Sequence, residues 1–224
     1  RNITLFGTDS QVSPTAELTW TLIMIGWRGI LTELENMRSG SWQTTIGRSL
    51  KGKTLGVFGL GKQGLQVANF GKAFGMKVIA WSHNLKKDDC NRVGVEYVEC
   101  LDLFKKSDVL TIHTRLSDRT FGFVDMKKLN LMKKDAFLVN TSRGPIIKEI
   151  DLVTCLQNKR IAGAALDVFD IEPLPKDSNL RTINNLILTP HIGYVSSESY
   201  SKFFKGYFLT IKAFIDGNFV NVID

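Results

Sequence analysis

Apolar residues follow two different periods along this chain. From Ala16 they recur at Trp20, Ile23, Met24, Trp27, Ile30, Leu31 and Leu34. That spacing of three and four makes one helical stripe over roughly six turns. Ser13-Pro14 precedes it as an N-cap followed by a first-turn proline, and Gly40 ends it, so a single helix is predicted from Ser13 to Arg38. From Lys53 the pattern changes to short, almost wholly apolar runs. Thr54–Phe58, Lys77–Trp81, Val109–His113, Ala136–Asn140, Ile161–Leu166 and Leu186–Leu188 read as strands. Helix-like runs at Gln63–Phe74, Leu101–Lys106, Asp125–Met132 and Lys148–Asn158 separate them. Strands that are apolar on both faces and alternate with helices imply an α/β fold with a parallel sheet covered on both sides. A further helix is predicted at Ser197–Ile215, then a short apolar tail, Phe219–Ile223.

The turn between the first of these strands and the helix after it is Gly59-Leu60-Gly61-Lys62-Gln63-Gly64. In that setting each glycine has a purpose. Gly59 permits a tight turn, Gly61 lets backbone approach a pyrophosphate without a Cβ between them, and Gly64 lets the helix pack closely on the strand. The helix start, at Lys62 and Gln63, offers free N–H groups and the positive end of the helix dipole to phosphates. Six strands with this turn fit a Rossmann-type doubly wound sheet that binds NAD or NADP. An acidic residue commonly stands about 20 residues beyond such a turn, holding the adenosine ribose. Here the second strand ends Ala80-Trp81-Ser82-His83-Asn84, and the nearest carboxylates are Asp88 and Asp89. Ser82, His83 and Asn84 have the groups to hydrogen-bond a 2′-phosphate, with Lys86 or Lys87 adding charge. NADP is therefore placed slightly ahead, with an NAD site lacking the usual acid as the alternative.

The formal net charge is +7. The lysines come as scattered pairs, such as Lys86-Lys87 and Lys133-Lys134, rather than as a stripe interleaved with aromatics, so nucleic-acid binding is not expected. The most apolar stretch, Leu18 to Leu31, contains Thr19, Thr21 and Arg28 and is too short and interrupted to span a bilayer. Cys90, Cys100 and Cys155 have no metal-ligand spacing and read as free thiols of a cytoplasmic protein, and no metal is expected. The two tryptophans of the Ser13–Arg38 helix suggest packing or a subunit interface, and a homodimer through that helix is expected.

Three motifs in the second half sharpen the reading. They are Asn140-Thr141-Ser142-Arg143-Gly144-Pro145, the run Gly163 to Pro173 that contains Asp167 and Glu172, and Thr189-Pro190-His191-Ile192-Gly193. Seen singly, each has a plain structural explanation: a surface turn, a loop boundary, a buried histidine. In this order, downstream of the glycine turn, they closely resemble the D-isomer-specific 2-hydroxyacid dehydrogenases, from about Thr4 to the end. The resemblance implies that Arg143 binds the substrate carboxylate, that Glu172 and His191 form the catalytic acid–base pair, and that Asp167 contacts the nicotinamide carboxamide. It places Thr141 and Gly193 close to the nicotinamide. These residue types suit reduction of a 2-oxo acid such as glyoxylate or hydroxypyruvate. Histidine titrates near neutrality, a neighbouring carboxylate fixes its tautomer, and arginine has the planar fork for a carboxylate. The stretch Thr111–Thr120 resembles one that passes the adenosine side of the cofactor, although Arg115 stands where many relatives have proline.

The family also has a second, smaller flavodoxin-like substrate domain. On that pattern residues 1–12 are expected to be its remnant, 13–195 the NAD(P)-binding domain, and 196–224 the return to the substrate domain. The cleft over the substrate is then incomplete, and the chain is expected to bind cofactor while turning over little. A nicotinamide-sensing corepressor of the same fold is the alternative. Formate dehydrogenases, which resemble the family but carry glutamine at the position of Glu172, fit less well.

Overall fold

A computed structural model describes residues 4–8 and 13–223. The side chain of Ser13, the expected cap, lies outside what the structure describes. The elements are β1 (Leu5–Phe6), α1 (Ser13–Arg28), α2 (Ile30–Arg38), β2 (Thr54–Phe58), α3 (Lys62–Ala73), β3 (Lys77–Trp81), α4 (Lys87–Arg92), β4 (Glu96–Tyr97) and α5 (Cys100–Lys106). They continue with β5 (Val109–Ile112), α6 (Met126–Leu129), β6 (Phe137–Asn140), α7 (Glu149–Gln157), β7 (Gly163–Leu166), β8 (Leu186–Leu188), α8 (Ser197–Ile215) and β9 (Val222–Ile223).

Seven strands form one parallel sheet in the order β4-β3-β2-β5-β6-β7-β8. The order reverses between β2 and β5, and ligands of such sheets bind outside the carboxyl ends of the strands at that point. Every residue of β5, β6 and β7 is buried. Alternation along the strands feeds two cores. Val57, Val78, Ala80, Val139 and Ala165 join Leu22, Ile23 and Trp27 of α1 and Val67 and Ala68 of α3. Phe58, Ile79, Trp81, Leu138 and Leu166 join Leu103 and Phe104 of α5 and Leu152 and Val153 of α7. Apart from this sheet, β1 pairs antiparallel with β9, Leu5 opposite Ile223 and Phe6 opposite Val222.

Two expectations need correction. The predicted sheet has six strands, whereas the structure has seven. The added β4 is a two-residue edge strand, half polar, paired only with β3, and too short to carry a period. Helix α4, whose sequence is KDDCNR with Cys90 alone buried, shows no apolar stripe either. The single Ser13–Arg38 helix is two helices. Gly29 sits between them in the left-handed region, φ 64, which glycine adopts without a Cβ penalty. The apolar spacing runs across the break, so periodicity alone conceals it. Of the two readings of the tryptophans, the packing one is seen within the chain. Trp20 lies against Phe70 and Phe74, ring centroids 6.0 and 4.9 Å away. Trp27 is 3% exposed, with the Arg48 guanidinium 3.6 Å over its ring. None of the residues of α2 is buried.

Candidate functional site

The glycine turn joins β2 to α3 at the reversal point, and its glycines differ in what surrounds them. Gly59 has φ 101, and a Cβ there would stand 2.8 Å from the Thr114 nitrogen, across the turn that follows β5. A Cβ on Gly64 would stand 2.0 Å from the Gly59 carbonyl oxygen. Both glycines are therefore required for protein-to-protein packing. A Cβ on Gly61 would meet no protein atom within 4 Å. Gly61 is the N-cap of α3, and its carbonyl accepts the Leu65 N–H at 2.8 Å. The N–H groups of Lys62, Gln63 and Gly64, in the first turn, have no partner within the helix. A glycine bordering open space beside such a turn is a cradle that a side chain would fill, and it fits a dinucleotide pyrophosphate.

Facing this turn, the His113 N–H donates to the Phe58 carbonyl at 2.8 Å. Both His113 ring nitrogens are shut off from solvent and have no hydrogen-bond partner among the described residues. Burial pulls the pKa of this imidazole down to about 4. Beyond β3, Ser82 is half-buried while His83 and Asn84 are exposed. The His83 ring packs on Trp81 and Phe123, with centroids 4.9 and 5.1 Å away. Of the two acids nearest this strand end, Asp89 turns back on its own helix. It accepts the Lys86 N–H at 3.3 Å and pairs with Arg92.

Of the three motif residues from the second half, Glu172 and His191 meet directly, and Arg143 stands in a turn packed against the same loop. Arg143 follows β6 in a turn held by Asn140, whose side chain accepts the Ser142 N–H at 3.0 Å and donates to the Arg143 carbonyl at 2.9 Å. The Ser142 hydroxyl ties the same turn to the Thr114 carbonyl at 2.5 Å. Gly144 presses this turn onto the loop after β7, since a Cβ there would lie 2.1 Å from the Phe169 carbonyl carbon. In that loop the Phe169 N–H donates to Glu172 Oε1 at 2.9 Å, and Glu172 Oε2 lies 2.5 Å from His191 Nδ1. His191 adopts φ 53, a conformation uncommon for a non-glycine residue. Burial works against the charged form of Glu172. The hydrogen bonds from His191 and Phe169, with the charges of His191 and Arg143, outweigh it and hold the carboxyl below its ordinary range. The Arg143 side chain is exposed, with Nη1 donating to the Ser142 carbonyl at 2.6 Å. Glu172 and His191 line a cleft of about 600 Å³ with Pro173, Leu174, Arg181 and Tyr194.

Asp167, 1% exposed at the end of β7, clamps the loop that carries His191. Its Oδ1 accepts the Thr189 hydroxyl at 2.6 Å and the Ile192 N–H at 2.9 Å, and its Oδ2 accepts the Gly193 N–H at 2.8 Å. A carboxylate has about four acceptor positions, and these three bonds take three of them. From the other side Thr15 donates to the Gly193 carbonyl at 2.9 Å. Thr19 donates to the Thr15 carbonyl at 2.8 Å, and its oxygen lies 2.7 Å from the Thr141 hydroxyl. With its own proton committed, Thr19 accepts from Thr141, and the Thr141 hydroxyl proton points into α1. The sequence reading missed Thr15 and Thr19, and their spacing of four on an apolar helix is the signal that was available. It also missed Arg181, which donates to the Leu174 and Pro175 carbonyls at 2.8 and 2.9 Å and braces the cleft wall.

Apart from Thr15 and Thr19 on α1, these groups follow the carboxyl ends of β2, β3, β5, β6, β7 or β8, so they share one edge of the sheet. Among the described residues, no helix is long and apolar enough to cross a membrane. Among the same residues, no group of His, Cys, Asp and Glu side chains has the arrangement of a metal site.

Comparison with known proteins agrees with this arrangement. Residues 20–193 match the family described as D-isomer specific 2-hydroxyacid dehydrogenase, NAD binding domain. A glyoxylate reductase from Aeropyrum pernix is 40% identical over 194 residues, which make up 83% of this chain and 58% of that protein. The chain thus spans under two thirds of that relative's length. The solved phosphoglycerate oxidoreductase from Vibrio cholerae is 34% identical with a TM-score of 0.88, covering 94% of this chain and 69% of its own. An acyclic imino acid reductase solved in complex with NADPH and D-Arg is 31% identical with a TM-score of 0.84, covering 99% of this chain and 71% of its own. With the family match spanning the glycine turn, Arg143, Glu172 and His191, this chain belongs to the D-isomer-specific 2-hydroxyacid dehydrogenases through their NAD-binding domain.

Proposed function

We propose that the chain is the cofactor-binding and acid–base part of an NAD(P)-dependent oxidoreductase. It would interconvert small 2-oxo acids and D-2-hydroxy acids of the glyoxylate or hydroxypyruvate kind. The observation that carries this reading is the 2.5 Å contact between His191 Nδ1 and Glu172 Oε2 on the wall of the cleft. The glycine turn and the first N–H groups of α3 would hold the pyrophosphate of a reduced dinucleotide, which would supply the hydride. With Nδ1 donating to Glu172, His191 presents Nε2 to the cleft and delivers its proton from there to the keto oxygen. Glu172, kept ionised by its two hydrogen bonds, fixes that tautomer and favours the protonated ring. Arg143 grips the substrate carboxylate once its bond to the Ser142 carbonyl is exchanged for the ligand. Asp167 would offer its remaining acceptor position to the nicotinamide carboxamide, and Thr141 and Gly193 would lie beside the ring.

The finer parts of the reading have separate support. NADP is placed slightly ahead of NAD because no acid ends β3 and Asp89 is engaged by Arg92. Residues 196–224 return to a substrate domain with β1, as the pairing of β1 with β9 suggests. A homodimer would use α2 and the segment after it, where Leu34, Met37, Trp42 and Ile46 are 49%, 56%, 72% and 97% exposed. The side chains of His191 and Glu172 are 35% and 34% exposed, so water reaches the pair, and the isolated chain is proposed to bind cofactor while turning over little.

The test titrates NADH and NADPH into the chain and follows cofactor oxidation with glyoxylate and hydroxypyruvate. Binding by the chain is expected, and the absence of binding by either cofactor would sink the reading. In a two-lobed enzyme carrying this chain, His191→Ala is expected to lower kcat by about 10²- to 10⁴-fold and leave the cofactor dissociation constant nearly unchanged. Near-normal rates in that variant would remove His191 as the proton donor.

A further inference from the structure

We propose that Arg119 is the anchoring residue of a 2′-phosphate site, which it forms with Ser82, His83 and Asn84 beyond the end of β3. This assignment rests on the dinucleotide reading of the glycine turn and gives a role to Arg119, for which the resemblance of the Thr111–Thr120 stretch assigned none.

Arg119 lies 35 residues beyond Asn84 in sequence, yet its Nη1 donates to Asn84 Oδ1 at 3.4 Å. Its position is set by a well-bonded loop. The Ser117 N–H donates to the Thr120 hydroxyl oxygen at 2.8 Å, that hydroxyl donates to the Arg115 carbonyl at 2.8 Å, and the Phe121 N–H donates to the Ser117 carbonyl at 2.8 Å. Thr120 is 4% exposed and anchors the loop, while Arg119 beside it is exposed. The guanidinium is therefore presented at the strand end by a preorganised support, which lowers the cost of ordering it on a ligand.

The surroundings are suited to an anion. Among the described residues no carboxylate forms an ion pair with Arg119, and that includes its neighbour Asp118. Every other arginine or lysine whose charge is paired has its own partner elsewhere. The long bond to Asn84 engages one of the five guanidinium donors and leaves the fork able to take a phosphate by two parallel bonds. Burial and then the positive charge of Arg119 hold His83 below its ordinary pKa, so that charge is felt across the strand end. A neutral His83, the Ser82 hydroxyl and the Asn84 amide add donors without adding negative charge. This is the place where dinucleotide-binding sheets distinguish a free ribose hydroxyl from a phosphorylated one. A carboxylate would repel the phosphate, whereas an arginine receives it.

The experiment uses 2′,5′-ADP and ADP as probes, because they test this end of the site without a nicotinamide, a substrate or turnover. Each is titrated calorimetrically into the 224-residue chain and into Arg119→Ala, Arg119→Glu and Arg119→Lys. The wild-type chain is expected to bind 2′,5′-ADP at least about tenfold more tightly than ADP. Arg119→Ala should lose most of that preference, Arg119→Glu should reverse it, and Arg119→Lys should keep part of it. A preference that survives Arg119→Ala would overturn the role of Arg119 and leave an NADP site built from other groups. Equal loss of both nucleotides in Arg119→Ala would also overturn it, since Arg119 would then only support the loop. Equal binding of the two by the wild-type chain would remove the phosphate site and leave the dinucleotide reading intact. Failure of both to bind the wild-type chain would take the dinucleotide reading down as well.

Discussion

Part of the acid sensitivity of this domain should come from the His113 imidazole, and the size of its share can be worked from its burial. Its ring nitrogens are buried without partners among the described residues, and burial lowers its pKa from the ordinary 6.5 to about 4. Between those values the unfolded chain binds a proton that the folded chain refuses, so stability rises with pH across the window. The contribution is fully present above about pH 6.5 and is lost as pH falls through the window. The loss comes to about 2 kcal/mol at pH 5 and about 3 kcal/mol near pH 4. Against a typical domain stability of roughly 5–15 kcal/mol, that is a large fraction. Other groups titrate in the same range. Burial pushes Glu149 and Asp170 up, while Glu172 and Asp125 are held down. The comparison must therefore be a difference of differences. Urea unfolding of the wild-type chain and of His113→Gln, each at pH 7 and pH 5, isolates the histidine. The wild-type chain should lose about 2 kcal/mol more than the variant over that step. Equal losses would show that the ring is hydrated or finds a partner, and the burial argument would fail.

Two further outcomes follow from the loop contacts. Gly144→Ala places a methyl 2.1 Å from the Phe169 carbonyl carbon and 2.3 Å from its oxygen, backbone atoms that cannot rotate aside. A stability loss of about 1–3 kcal/mol is expected, measured as a fall in Tm, and an unchanged Tm would contradict the close packing of the two loops. Arg143→Lys in a two-lobed enzyme should lower kcat/KM for a 2-oxo acid by about tenfold or more, because an ammonium cannot reproduce the two-pronged grip. Full activity in that variant would place the substrate carboxylate elsewhere.

Much of this molecule was readable before any coordinates. Strands β2, β5, β6 and β7 are buried on both faces, so they appear as unbroken apolar runs in the sequence. Helices α3 and α7 show their stripe because one face meets the sheet and the other meets water. What escaped were the pieces whose stability comes from neighbours rather than from their own composition. β4 exists because β3 offers it an edge, and α4 has Cys90 as its sole buried residue. The bend at Gly29 escaped because a change in φ does not disturb the order of apolar residues.

The site divides along the same line. Sequence by itself determined its chemistry: glycines at a strand–helix turn, an arginine, a glutamate and a histidine in a recognisable order, and no acid at the end of β3. Residue type and local spacing suffice for that, since they are properties of short segments. Tertiary structure alone decided which groups meet. It turned two threonines, which in sequence merely interrupt an apolar helix, into the supports of Thr141 and Gly193. It gave Asp167 a clamp on the His191 loop, and it brought Arg119 across to Asn84. Those pairings join segments far apart in the chain, and only the order of strands in the sheet brings such segments within hydrogen-bonding distance.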